Sequence, residues 1–381
     1  MIAAWIAALS FCLWVYLLAA RGRFWRMASA PPDLNLPLPS APHVAVVVPA
    51  RNEADVIGRS IQSLLEQDYV GRFRIFVVDD HSSDDTASVV LKAASRDERL
   101  TLISAMPLPT GWTGKMWALA QGVEKAAEFH PVYFLFTDAD IVHPRDSITG
   151  LVMRAQAGNL DLVSMMALLR CSSPAERALI PAFVFFFFML YPPEWVNSPK
   201  HETAAAAGGD ILVRTDALAR IGGIAAIRNE LIDDCALARK IKQNGRVWLG
   251  FAPNTCSIRG YGTFGSVGRM ISRTAFYQLR HSVWLLAATI LGLAITYLAP
   301  PILTFSGGWA TLWGGTAWLL MSIAFWPTLR FYSRSPLWAP LLPLIALFYM
   351  GATLHSAIRY WLGRGGEWKG RAQDIKTHIA A

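Results

Sequence analysis

The longest uncharged segment of the chain, Ser282 to Leu329, strongly limits what the sequence can fold into. Its 48 residues are enough for two membrane-spanning helices, hinged around Pro300-Pro301 and Ser306-Gly307-Gly308. A third apolar segment, Ser335 to Ile358, begins with three prolines, which predict a kink, a re-entrant turn or partial insertion. Residues 282–358 are therefore predicted to form a membrane region with two or three spans.

The N-terminal segment Met1 to Ala20 is also uncharged and long enough to cross a bilayer. Three arginines follow at once: Arg21, Arg23 and Arg26. Residues 1–26 are therefore predicted to be an anchor whose C-terminal side faces the cytoplasm, whereas a signal peptide, the alternative, carries its positive charge before the apolar run. Three C-terminal spans would put the basic tail, residues 359–381, on the far side against this bias, so two spans plus a re-entrant segment stay open.

The overall composition also favours a membrane protein. Apolar residues make up 54% of the 381 residues and the mean hydropathy is +0.34, which is too apolar for an ordinary soluble enzyme. The net charge of +8 is accounted for by basic residues that flank the spans and contact anionic headgroups, and the sequence has no recognisable nucleic-acid-binding module. The four cysteines lack Cys-x-x-Cys spacing, which predicts neither a zinc site nor a disulfide framework.

Between the apolar regions, residues 40–280 alternate short apolar runs with helix-like segments, the pattern of an α/β domain with a largely parallel sheet. Two predicted strands, His43 to Val48 and Arg74 to Val78, are each followed by a polar loop. Open α/β sheets bind ligands at the carboxyl ends of their strands, where both loops would lie. A stiff lead-in to this domain is predicted from its prolines: Pro31, Pro32, Pro37, Pro39 and Pro42.

A third predicted strand, Tyr133 to Phe136, is followed directly by Thr137-Asp138-Ala139-Asp140. Alternation along an extended segment points Asp138 and Asp140 to the same side, where they can share one hard cation and, through it, a diphosphate. A solvated turn after the strand is the alternative. His143 is close enough to be a metal ligand, but a role at a helix start or in a loop is favoured.

The first two loops also carry carboxylates. Glu53 and Asp80 are acceptor-only groups at strand ends, suited to a base N–H and to ribose hydroxyls. Helix N-capping is the alternative for both, and Asp84 and Asp85 are assigned to capping. Lys115 follows a glycine at a flexible turn, so its ammonium either reaches a phosphate or the base pocket, or is an ordinary surface charge.

Two further features lie later in the same region. Asp233-Asp234 opens a predicted helix, where adjacent carboxylates either take part in chemistry or compensate the helix dipole. The segment Ala204 to Asp210 is made of small residues and includes Gly208-Gly209, which can let the backbone approach a sugar or an acceptor closely. A mobile loop is the alternative for this segment.

Five motifs in this order resemble the family 2 glycosyltransferases of the GT-A fold, over roughly residues 43 to 250. They are Pro49-x-x-x-Glu53, Asp79-Asp80-x-Ser82-x-Asp84-x-Thr86, Gly114-Lys115-x-x-Ala118-Leu119, Thr137-Asp138-x-Asp140 and Asp233-Asp234-x-x-Leu237. The whole chain is similar to the hopanoid-biosynthesis-associated (hopene-associated) glycosyltransferases. Four segments carry this narrower resemblance: Gly111 to Lys115, the phenylalanine run with Tyr191-Pro192, Ala204 to Gly209, and Ile232 to Ala238.

The resemblance implies an α/β domain of the GT-A fold (Rossmann-like, nucleotide-diphospho-sugar transferase) with N-terminal and C-terminal transmembrane helices. The implied donor-binding residues are Pro49, Glu53, Asp80, Lys115, Asp138 and Arg273. Among them Asp80 would take the base, and Glu53 would lie near the base or ribose. Asp140 would hold Mg²⁺ or Mn²⁺, and Asp138 would contact the ribose or share the ion.

The resemblance also places the catalytic base on Asp234, which would take a proton from the acceptor hydroxyl as its oxygen attacks the anomeric carbon with inversion. Asp233 would orient the loop or contact the acceptor, and Gly208-Gly209 would form the acceptor loop. The chain departs from the Gln/Arg-x-x-Arg-Trp motif of processive relatives and ceramide glucosyltransferases, because Arg273 is followed by a threonine and preceded three positions back by Met270. Arg269 and Arg273 can still face the diphosphate, and the missing Trp favours transfer of a single sugar.

The acceptor is expected to be a lipid. The segment Ile180 to Tyr191 contains five phenylalanines, is apolar around its circumference and is too short to span a bilayer. A helix at about 176–193 is therefore predicted to lie in the membrane interface and to guide a lipid head group towards the site. A buried core helix is the alternative.

These observations together predict a membrane-bound inverting glycosyltransferase that moves a single sugar from a nucleotide-sugar, a UDP-sugar by resemblance, to a membrane lipid in hopanoid biosynthesis. Its predicted location is the bacterial inner membrane, multi-pass, with the catalytic domain in the cytoplasm. Two alternatives stay open. One is a polyprenyl-phosphate or ceramide-type lipid glycosyltransferase, and the other is a non-catalytic scaffold of a lipid-biosynthesis complex.

Overall fold

The computed structural model describes the backbone of residues 1–27, 40–368 and 371–372, and the side chains of residues 1–27 and 40–366. Most of the predicted proline lead-in (Pro31, Pro32, Pro37 and Pro39) lies outside the described residues. So does part of the predicted basic tail, namely residues 369, 370 and 373–381.

The chain forms two compact units. The sheet unit comprises Ala28–Leu169, Trp195–Arg259 and Glu367–Ala381, as far as these residues are described. The apolar unit comprises Met1–Met27, Arg170–Glu194 and Gly260–Gly366. The predicted continuous domain of residues 40–280 therefore contains two segments, 170–194 and 260–280, that pack with the apolar unit instead.

An eight-stranded mixed sheet forms the centre of the sheet unit. Its strands are β1 (Val44–Ala50), β2 (Phe73–Asp79), β3 (Leu100–Ser104), β4 (Tyr133–Phe136), β5 (Ile141–Val142), β6 (Leu162–Leu168), β7 (Ile211–Arg214) and β8 (Val247–Ser257). Their order is β3-β2-β1-β4-β7-β6-β8-β5. The first four strands in this order, β3, β2, β1 and β4, run parallel to one another, as predicted. Strand β7 runs antiparallel to β4 and β6, and β5 runs antiparallel to β8. A short antiparallel pair, β9 (Glu367–Trp368) and β10 (Arg371–Ala372), lies near the C-terminus.

Helices flank this sheet, and the hydrophobic core lies between the sheet and the helices. The helices of the sheet unit are α2 (Ala54–Leu65), α3 (Thr86–Ala94), α4 (Gly114–Ala126), α5 (Ser147–Gly158), α8 (Thr215–Arg220) and α9 (Asp233–Lys242). Every residue of β1 is buried, as expected for a valine-rich central strand covered on both faces. Helix α4 approaches β1 so closely that a Cβ at Gly122 would overlap Cγ1 of Val47, so this position requires glycine.

The order of the parallel strands creates a ligand-binding edge. From β1 the chain goes to β2 and β3 on one side, and then returns to β4 on the other side. The crevice outside the carboxyl ends of strands at such a reversal is where open α/β sheets bind ligands. The loops after β1, β2 and β4 all leave the sheet at this edge, which agrees with the positions predicted for the site residues.

The apolar unit is helical in its described part. Its helices are α1 (Ile2–Ala19), α6 (Pro174–Leu190), α10 (Phe264–Ser272), α11 (Ala275–Gln278), α12 (Val283–Leu293), α13 (Ala299–Leu303), α14 (Gly308–Phe331) and α15 (Leu342–Trp361). The short helix α7 (Pro193–Val196) has two residues in this unit and two in the sheet unit. Four described helical segments are long and apolar enough to cross a membrane, by length and composition: Ile2–Ala19, Pro174–Val196, Val283–Leu303 and Pro336–Trp361.

Of the two predicted hinges in the segment Ser282 to Leu329, the one at the glycines separates two helices, whereas the one at the prolines does not. Pro300-Pro301 lies at the start of α13 and does not interrupt the apolar segment Val283–Leu303, whereas Gly307 and Gly308 adopt a left-handed backbone and separate it from α14. Pro336 and Pro340 lie in a 3₁₀ turn before α15, and Pro343 lies in its first turn, where proline is tolerated. None of these prolines interrupts α15.

The phenylalanine-rich helix is longer than predicted. It begins at Pro174, after a capping box in which Ser173 and Glu176 bond each other's backbone N–H, and with α7 it forms a 23-residue apolar segment. The prediction that this segment is too short to span is therefore wrong. Phe185 is fully buried and packs 5.3 Å from the ring of Phe24, as the buried-core alternative requires, and the interfacial position stays a prediction.

Candidate active site

Lys115 lies at the centre of a cluster of carboxylates in the sheet unit. Its Nζ is 3.0 Å from Oδ1 of Asp138 and 3.1 Å from Oδ2 of Asp233. Asp138 follows β4, Asp233 begins α9, and Lys115 lies in the first turn of α4, which Thr113 caps through a hydrogen bond to the N–H of Met116. The side chain of Lys115 is only 18% exposed, so the alternative that it is an ordinary surface charge is wrong.

Asp234 joins this group through the backbone of the predicted acceptor loop. Its Oδ2 accepts the N–H of Gly208 at 2.9 Å, and its Oδ1 accepts the N–H of Cys235 at 2.7 Å. A Cβ placed on Gly208 would lie 3.4 Å from Oδ2 of Asp234, 3.6 Å from Nζ of Lys115 and 3.7 Å from Oδ2 of Asp138. We call Lys115, Asp138, Asp233, Asp234 and Gly208 the acid cluster.

The electrostatics of the acid cluster favour a proton acceptor near neutral pH. Burial, followed by the charge of Asp233, raises the pKa of Asp234 to about 6, against the opposing charge of Lys115. Burial also raises the pKa of Asp138, although Lys115 opposes this. Burial lowers the pKa of Lys115, but the charges of Asp138, Asp233 and Asp234 outweigh it and raise the pKa overall, so Lys115 stays cationic.

An apolar pocket lies against the acid cluster. Its lining includes Ile211 from β7, Ile224 and Ile227 from a 3₁₀ turn, and Leu237 from α9. Pro49 of β1, predicted to contact the donor, also lines the pocket. An apolar floor keeps the local dielectric low, so the charges beside it interact more strongly than they would in water.

A second group of charges surrounds Arg259. Its Nη2 lies 2.7 Å from Oε1 and 2.6 Å from Oε2 of Glu53, and 3.4 Å from Oδ1 of Asp140. Oδ2 of Asp140 accepts a hydrogen bond from Oγ of Ser257 at 2.6 Å. We call Glu53, Asp140, Ser257 and Arg259 the arginine bridge.

Sequence reasoning missed Arg259. The pairing of β5 with β8 through Ile141 and Ser257 brings the end of β8 beside Asp140, and Arg259 follows two residues later. The one available signal was an arginine directly after a strand end, the position at which the predicted site acids also occur.

The Asp138–Asp140 segment is not extended. The N–H of Ile141 donates to the carbonyl of Asp138 at 3.2 Å, which closes a turn, and Asp138 faces Lys115 whereas Asp140 faces Arg259. The extended geometry assumed in the prediction is therefore wrong, but the two carboxylates still interact, because the negative charge of Asp140 adds to burial in raising the pKa of Asp138. Whether they share a cation depends on the turn, and that part stays a prediction.

The donor set nevertheless suits a divalent cation. Among the described residues no group of three His, Cys, Asp or Glu side chains is arranged to hold a metal. Mg²⁺ is commonly bound by one or two carboxylates together with waters and substrate phosphates. Asp138 and Asp140 would supply the carboxylates. The two acids therefore fit a metal that enters with a diphosphate.

The loops after β1 and β2 are tied together. Asp84, assigned to capping, accepts the N–H of Ala54 at 3.1 Å and of Thr86 at 3.0 Å, so it holds the starts of α2 and α3. Asp85 occupies the N-cap position of α3, as assigned, but its side chain makes no capping hydrogen bond. Glu53 occupies the N-cap position of α2 without a side-chain cap, because its carboxylate pairs with Arg259.

Asp80 and His143 are both buried. Asp80 forms an ion pair with Arg51 at 3.6 Å, at the edge where the donor is predicted to bind, and its contact with a base stays a prediction. Nε2 of His143 lies 2.9 Å from Oγ1 of Thr137 and Nδ1 lies 3.3 Å from Oγ of Ser147, the first residue of α5. Burial lowers the pKa of His143 to about 4, so it is a neutral structural residue before a helix.

The segment Ala204–Asp210, which we call the glycine loop, is not a mobile loop. Its four alanines are buried, and Ala207 exchanges hydrogen bonds of 2.8 and 3.2 Å with Oγ of Ser164. Just before it, Nζ of Lys242 donates to three carbonyls, those of Trp195, Val196 and Thr203, at 3.0, 2.7 and 2.6 Å. The mobile-loop alternative is therefore wrong.

Arg273, predicted to bind the donor, lies in the apolar unit. It is the C-cap residue of α10, and its N–H donates to the carbonyl of Arg269 at 3.1 Å. Its contact with a donor stays a prediction.

Comparisons with known proteins agree with this architecture. The family model described as Glycosyl transferase family 2 matches residues 45–222, so the chain contains a family 2 glycosyltransferase domain. The match covers the loops that carry Glu53, Asp80, Lys115 and Asp138. Asp233, Asp234 and Arg259 lie beyond it.

Two curated relatives match a short part of the chain. An N-acetylglucosaminyltransferase from Rhizobium leguminosarum bv. viciae is 34% identical over 94 residues, which is 24% of this chain and 22% of the relative. A beta-monoglucosyldiacylglycerol synthase from Trichormus variabilis is 32% identical over 83 residues, which is 22% of this chain and 17% of the synthase. The chain thus spans about a fifth of the length of these curated relatives.

One solved structure is similar over nearly the whole chain. It is mannosyltransferase PcManGT from Pyrobaculum calidifontis in complex with GDP-Man and Mn²⁺, with a TM-score of 0.60 and 19% sequence identity. The similarity covers 93% of this chain and 98% of that protein. At this identity it shows the fold, a GT-A-type glycosyltransferase architecture.

Proposed function

We propose that this protein is a membrane-bound inverting glycosyltransferase that moves a single sugar from a nucleotide-sugar to a membrane lipid. One observation carries the proposal: Asp234, with a pKa of about 6, contacts Gly208 and lies beside Lys115 and Asp138 at the ligand-binding edge of a family 2 glycosyltransferase domain. A carboxylate with this pKa is half ionised near pH 6 and is suited to general-base catalysis near neutral pH.

The chemistry assigned to the acid cluster is a single displacement. Asp234 takes the proton of the acceptor hydroxyl as that oxygen forms a bond to the anomeric carbon. The bond from the anomeric carbon to the diphosphate oxygen breaks, and the nucleoside diphosphate leaves with the electron pair. Because attack and departure occur on opposite faces, the anomeric configuration inverts. Asp233 forms an ion pair with Lys115 at 3.1 Å, and its proposed role is to orient the loop or to contact the acceptor.

The donor is proposed to be a UDP-sugar bound along the edge formed by β1, β2 and β4. Pro49, Glu53 and Asp80 would receive the base and ribose, and Lys115 would face the diphosphate. Asp138 and Asp140 would hold Mg²⁺ or Mn²⁺, which supplies positive charge against the leaving diphosphate when bound. PcManGT, the fold neighbour, is in complex with GDP-Man and Mn²⁺, which supports the pairing of a nucleotide-sugar with a divalent ion.

The acceptor is proposed to be a lipid of the bacterial inner membrane, and by motif resemblance a hopanoid. Among the described residues, four helical segments are long and apolar enough to span by length and composition, and the name of one relative, beta-monoglucosyldiacylglycerol synthase, denotes a lipid product. The sheet unit would then face the cytoplasm, where nucleotide-sugars are made. The segment at 176–193 is proposed to contact the lipid.

The test is a transfer assay with the full chain purified in detergent. The protein is incubated with Mn²⁺, with radiolabelled UDP-sugars or GDP-sugars, and with hopanoids, diacylglycerol or polyprenyl phosphate, and lipid products are identified by mass spectrometry. The proposal predicts a product carrying one sugar, formed from a UDP-sugar on a hopanoid. A product on another lipid would show that the acceptor is not a hopanoid. Donor binding without any transfer would favour the non-catalytic alternative.

A further inference from the structure

The arginine bridge joins two acids that reach the site from different strands. Glu53 follows β1, Asp140 follows β4, and Arg259 follows β8. Their side chains are largely buried, with exposures of 8% for Glu53, 10% for Asp140 and 28% for Arg259. Two carboxylates brought together at such low exposure repel each other and lose hydration, and a shared guanidinium offsets both costs.

The geometry divides the guanidinium unequally between the two acids. Nη2 is 2.6 and 2.7 Å from the two oxygens of Glu53, but 3.4 Å from Oδ1 of Asp140. The contact with Glu53 is a short charge-assisted pair, whereas the contact with Asp140 is longer and weaker. The contact of Arg259 with Asp140 can therefore break while its contact with Glu53 persists.

Both oxygens of Asp140 already have a donor. Oδ2 accepts the hydroxyl of Ser257 at 2.6 Å, and Oδ1 faces Arg259. A cation that binds Asp140 through Oδ1 needs the lone pair directed at the guanidinium, and it also meets the positive charge of Arg259. The ion must then displace the longer of the contacts that Arg259 makes with these two acids, which carries an electrostatic cost.

We propose that Arg259 is a positioning residue that occupies Oδ1 of Asp140 in the donor-free protein and releases it when a divalent cation enters with the diphosphate. The proposal rests on the metal site of the proposed function. Arg259 then stays on Glu53, so the base-and-ribose end of the donor site and the metal end share one side chain. The divalent ion alone binds weakly, because the diphosphate is needed to offset the displaced arginine.

The test measures Mn²⁺ affinity of the full chain in detergent without nucleotide, from the electron paramagnetic resonance signal of free Mn²⁺. Arg259→Gln removes the competing charge and is expected to bind Mn²⁺ about tenfold more tightly, the effect of losing one charge-assisted contact. Arg259→Lys, which keeps the charge on a smaller head group, is expected to lie between the two. Arg145→Gln is the matched control, because Arg145 is 76% exposed and makes one 4.0 Å ion pair, and it should match the wild type.

A double variant shows whether the gain in Mn²⁺ affinity depends on Asp140. Asp140→Asn in the Arg259→Gln background should abolish the gain in affinity if the released ligand is Asp140. Arg259→Gln with unchanged or weaker Mn²⁺ affinity, or a gain that survives Asp140→Asn, would overturn the proposal. If thermal melting shows that Arg259→Gln is unfolded, the same comparison is made with Arg259→Lys.

The outcome is separable from that of the proposed function, since Mn²⁺ binding needs neither donor nor acceptor. Normal lipid glycosylation by the wild type with unchanged Mn²⁺ affinity in Arg259→Gln rejects the role of Arg259 alone. A wild type that glycosylates no lipid rejects the proposed function, and the comparison of Mn²⁺ affinities still decides whether Arg259 competes for Asp140.

Discussion

The backbone N–H of Gly208 donates to Oδ2 of Asp234 across 2.9 Å, so the proposed base and the glycine loop hold each other in place. The same helix, α9, contacts the chain before this loop at its other end, where Lys242 binds three carbonyls. Asp234 and Lys242 thus fix a segment without regular secondary structure from the two ends of one helix. This arrangement explains how a loop of small residues can be rigid enough to position a reacting group.

Replacing the proposed base is the most direct test of its role. Asp234→Asn keeps the size of the side chain and can still accept one of the two backbone N–H groups through its amide oxygen, but it cannot take a proton at neutral pH. We expect the transfer rate to fall by roughly 10² to 10⁴-fold, the range for loss of a general base, with nucleotide affinity unchanged. Product formation and calorimetric binding of UDP with Mn²⁺ measure the two quantities.

Asp68→Asn is the matched control for this substitution. Asp68 is exposed and its carboxylate makes one 3.5 Å contact with Thr149, so its loss should leave both transfer and binding at wild-type values. Normal turnover by Asp234→Asn would show that another group accepts the proton.

The pH dependence follows from the environment of the base. Because burial and the charge of Asp233 raise the pKa of Asp234 to about 6, the active ionised form is gained as pH rises through that value. We expect kcat/KM to increase with pH, with the midpoint of this rising limb of the pH profile near pH 6. Asp233→Asn removes the neighbouring negative charge, so the pKa of Asp234 should fall and the rising limb should move to lower pH. A limb that stays in place or moves upward in this variant would contradict the assignment.

The two glycines of the loop should respond differently to alanine. A Cβ at Gly208 meets its neighbours at 3.4 Å or more, so Gly208→Ala should fold normally, yet its methyl group points at the acid cluster. We expect an unchanged melting temperature and a KM for the acceptor raised roughly tenfold by the obstructed approach. A Cβ at Gly209 would lie 2.9 Å from Cδ1 of Ile141, so Gly209→Ala should cost about 1 kcal/mol of unfolding free energy through overpacking.

Measuring acceptor KM and thermal melting for both variants separates access from stability. A Gly208→Ala variant with normal acceptor KM would mean that the acceptor does not approach along this backbone. A Gly209→Ala variant as stable as the wild type would mean that Ile141 moves aside at no cost.

Local patterns in the sequence were sufficient for the strand-end acids. Glu53, Asp80 and Asp138 each follow an apolar run, and parallel strands bring their carboxyl ends to one edge, so their proximity could be predicted without coordinates. The motif of Lys115 left a phosphate or base contact and a surface charge both open, so its ion pairs with Asp138 and Asp233 were not predicted.

Features that depend on distant pairing were not accessible in this way. Arg259 reaches Asp140 because β5 and β8 pair antiparallel between residues more than 100 positions apart, and no local pattern encodes that register. The turn that separates Asp138 from Asp140 arises from one backbone hydrogen bond, which apolar periodicity does not reveal. The anchoring of the glycine loop by Lys242 likewise joins segments about 40 residues apart, and a run of alanines gives no sign of it.

Asp210, directly after the two glycines, should make stability depend on pH. It is fully buried, and neither carboxylate oxygen has a hydrogen-bond partner among the described residues; burial raises its pKa to about 8. Between about pH 4 and pH 8 the unfolded chain releases this proton and the folded chain keeps it. The unfolding free energy therefore falls as pH rises through that interval.

Asp210→Asn cannot ionise, so this part of the pH dependence should vanish. We expect its melting temperature, relative to the wild type, to increase steadily between pH 4.5 and pH 7.5. Melting curves recorded by differential scanning fluorimetry across this range give the comparison. Melting temperatures of the two proteins that run parallel over the whole range would show that Asp210 is ionised, or paired, in the folded chain.

The contact between α9 and the segment before the glycine loop can be tested at Lys242. Lys242→Met keeps much of the aliphatic chain but removes three charge-assisted hydrogen bonds to the carbonyls of Trp195, Val196 and Thr203. We expect a loss of about 2 kcal/mol of unfolding free energy. Transfer should also slow by roughly tenfold, because Gly208 is no longer held against Asp234.

Lys240→Met provides the matched control, since Lys240 lies on the same helix with an exposed side chain. Its melting temperature and transfer rate should equal those of the wild type. If Lys242→Met melted lower but transferred sugar at the normal rate per folded molecule, Lys242 would stabilise the segment without positioning the base. If it behaved like Lys240→Met in both measurements, the three carbonyls would be held by other contacts, and the rigidity of the glycine loop would have to come from Ser164 and Asp234 alone.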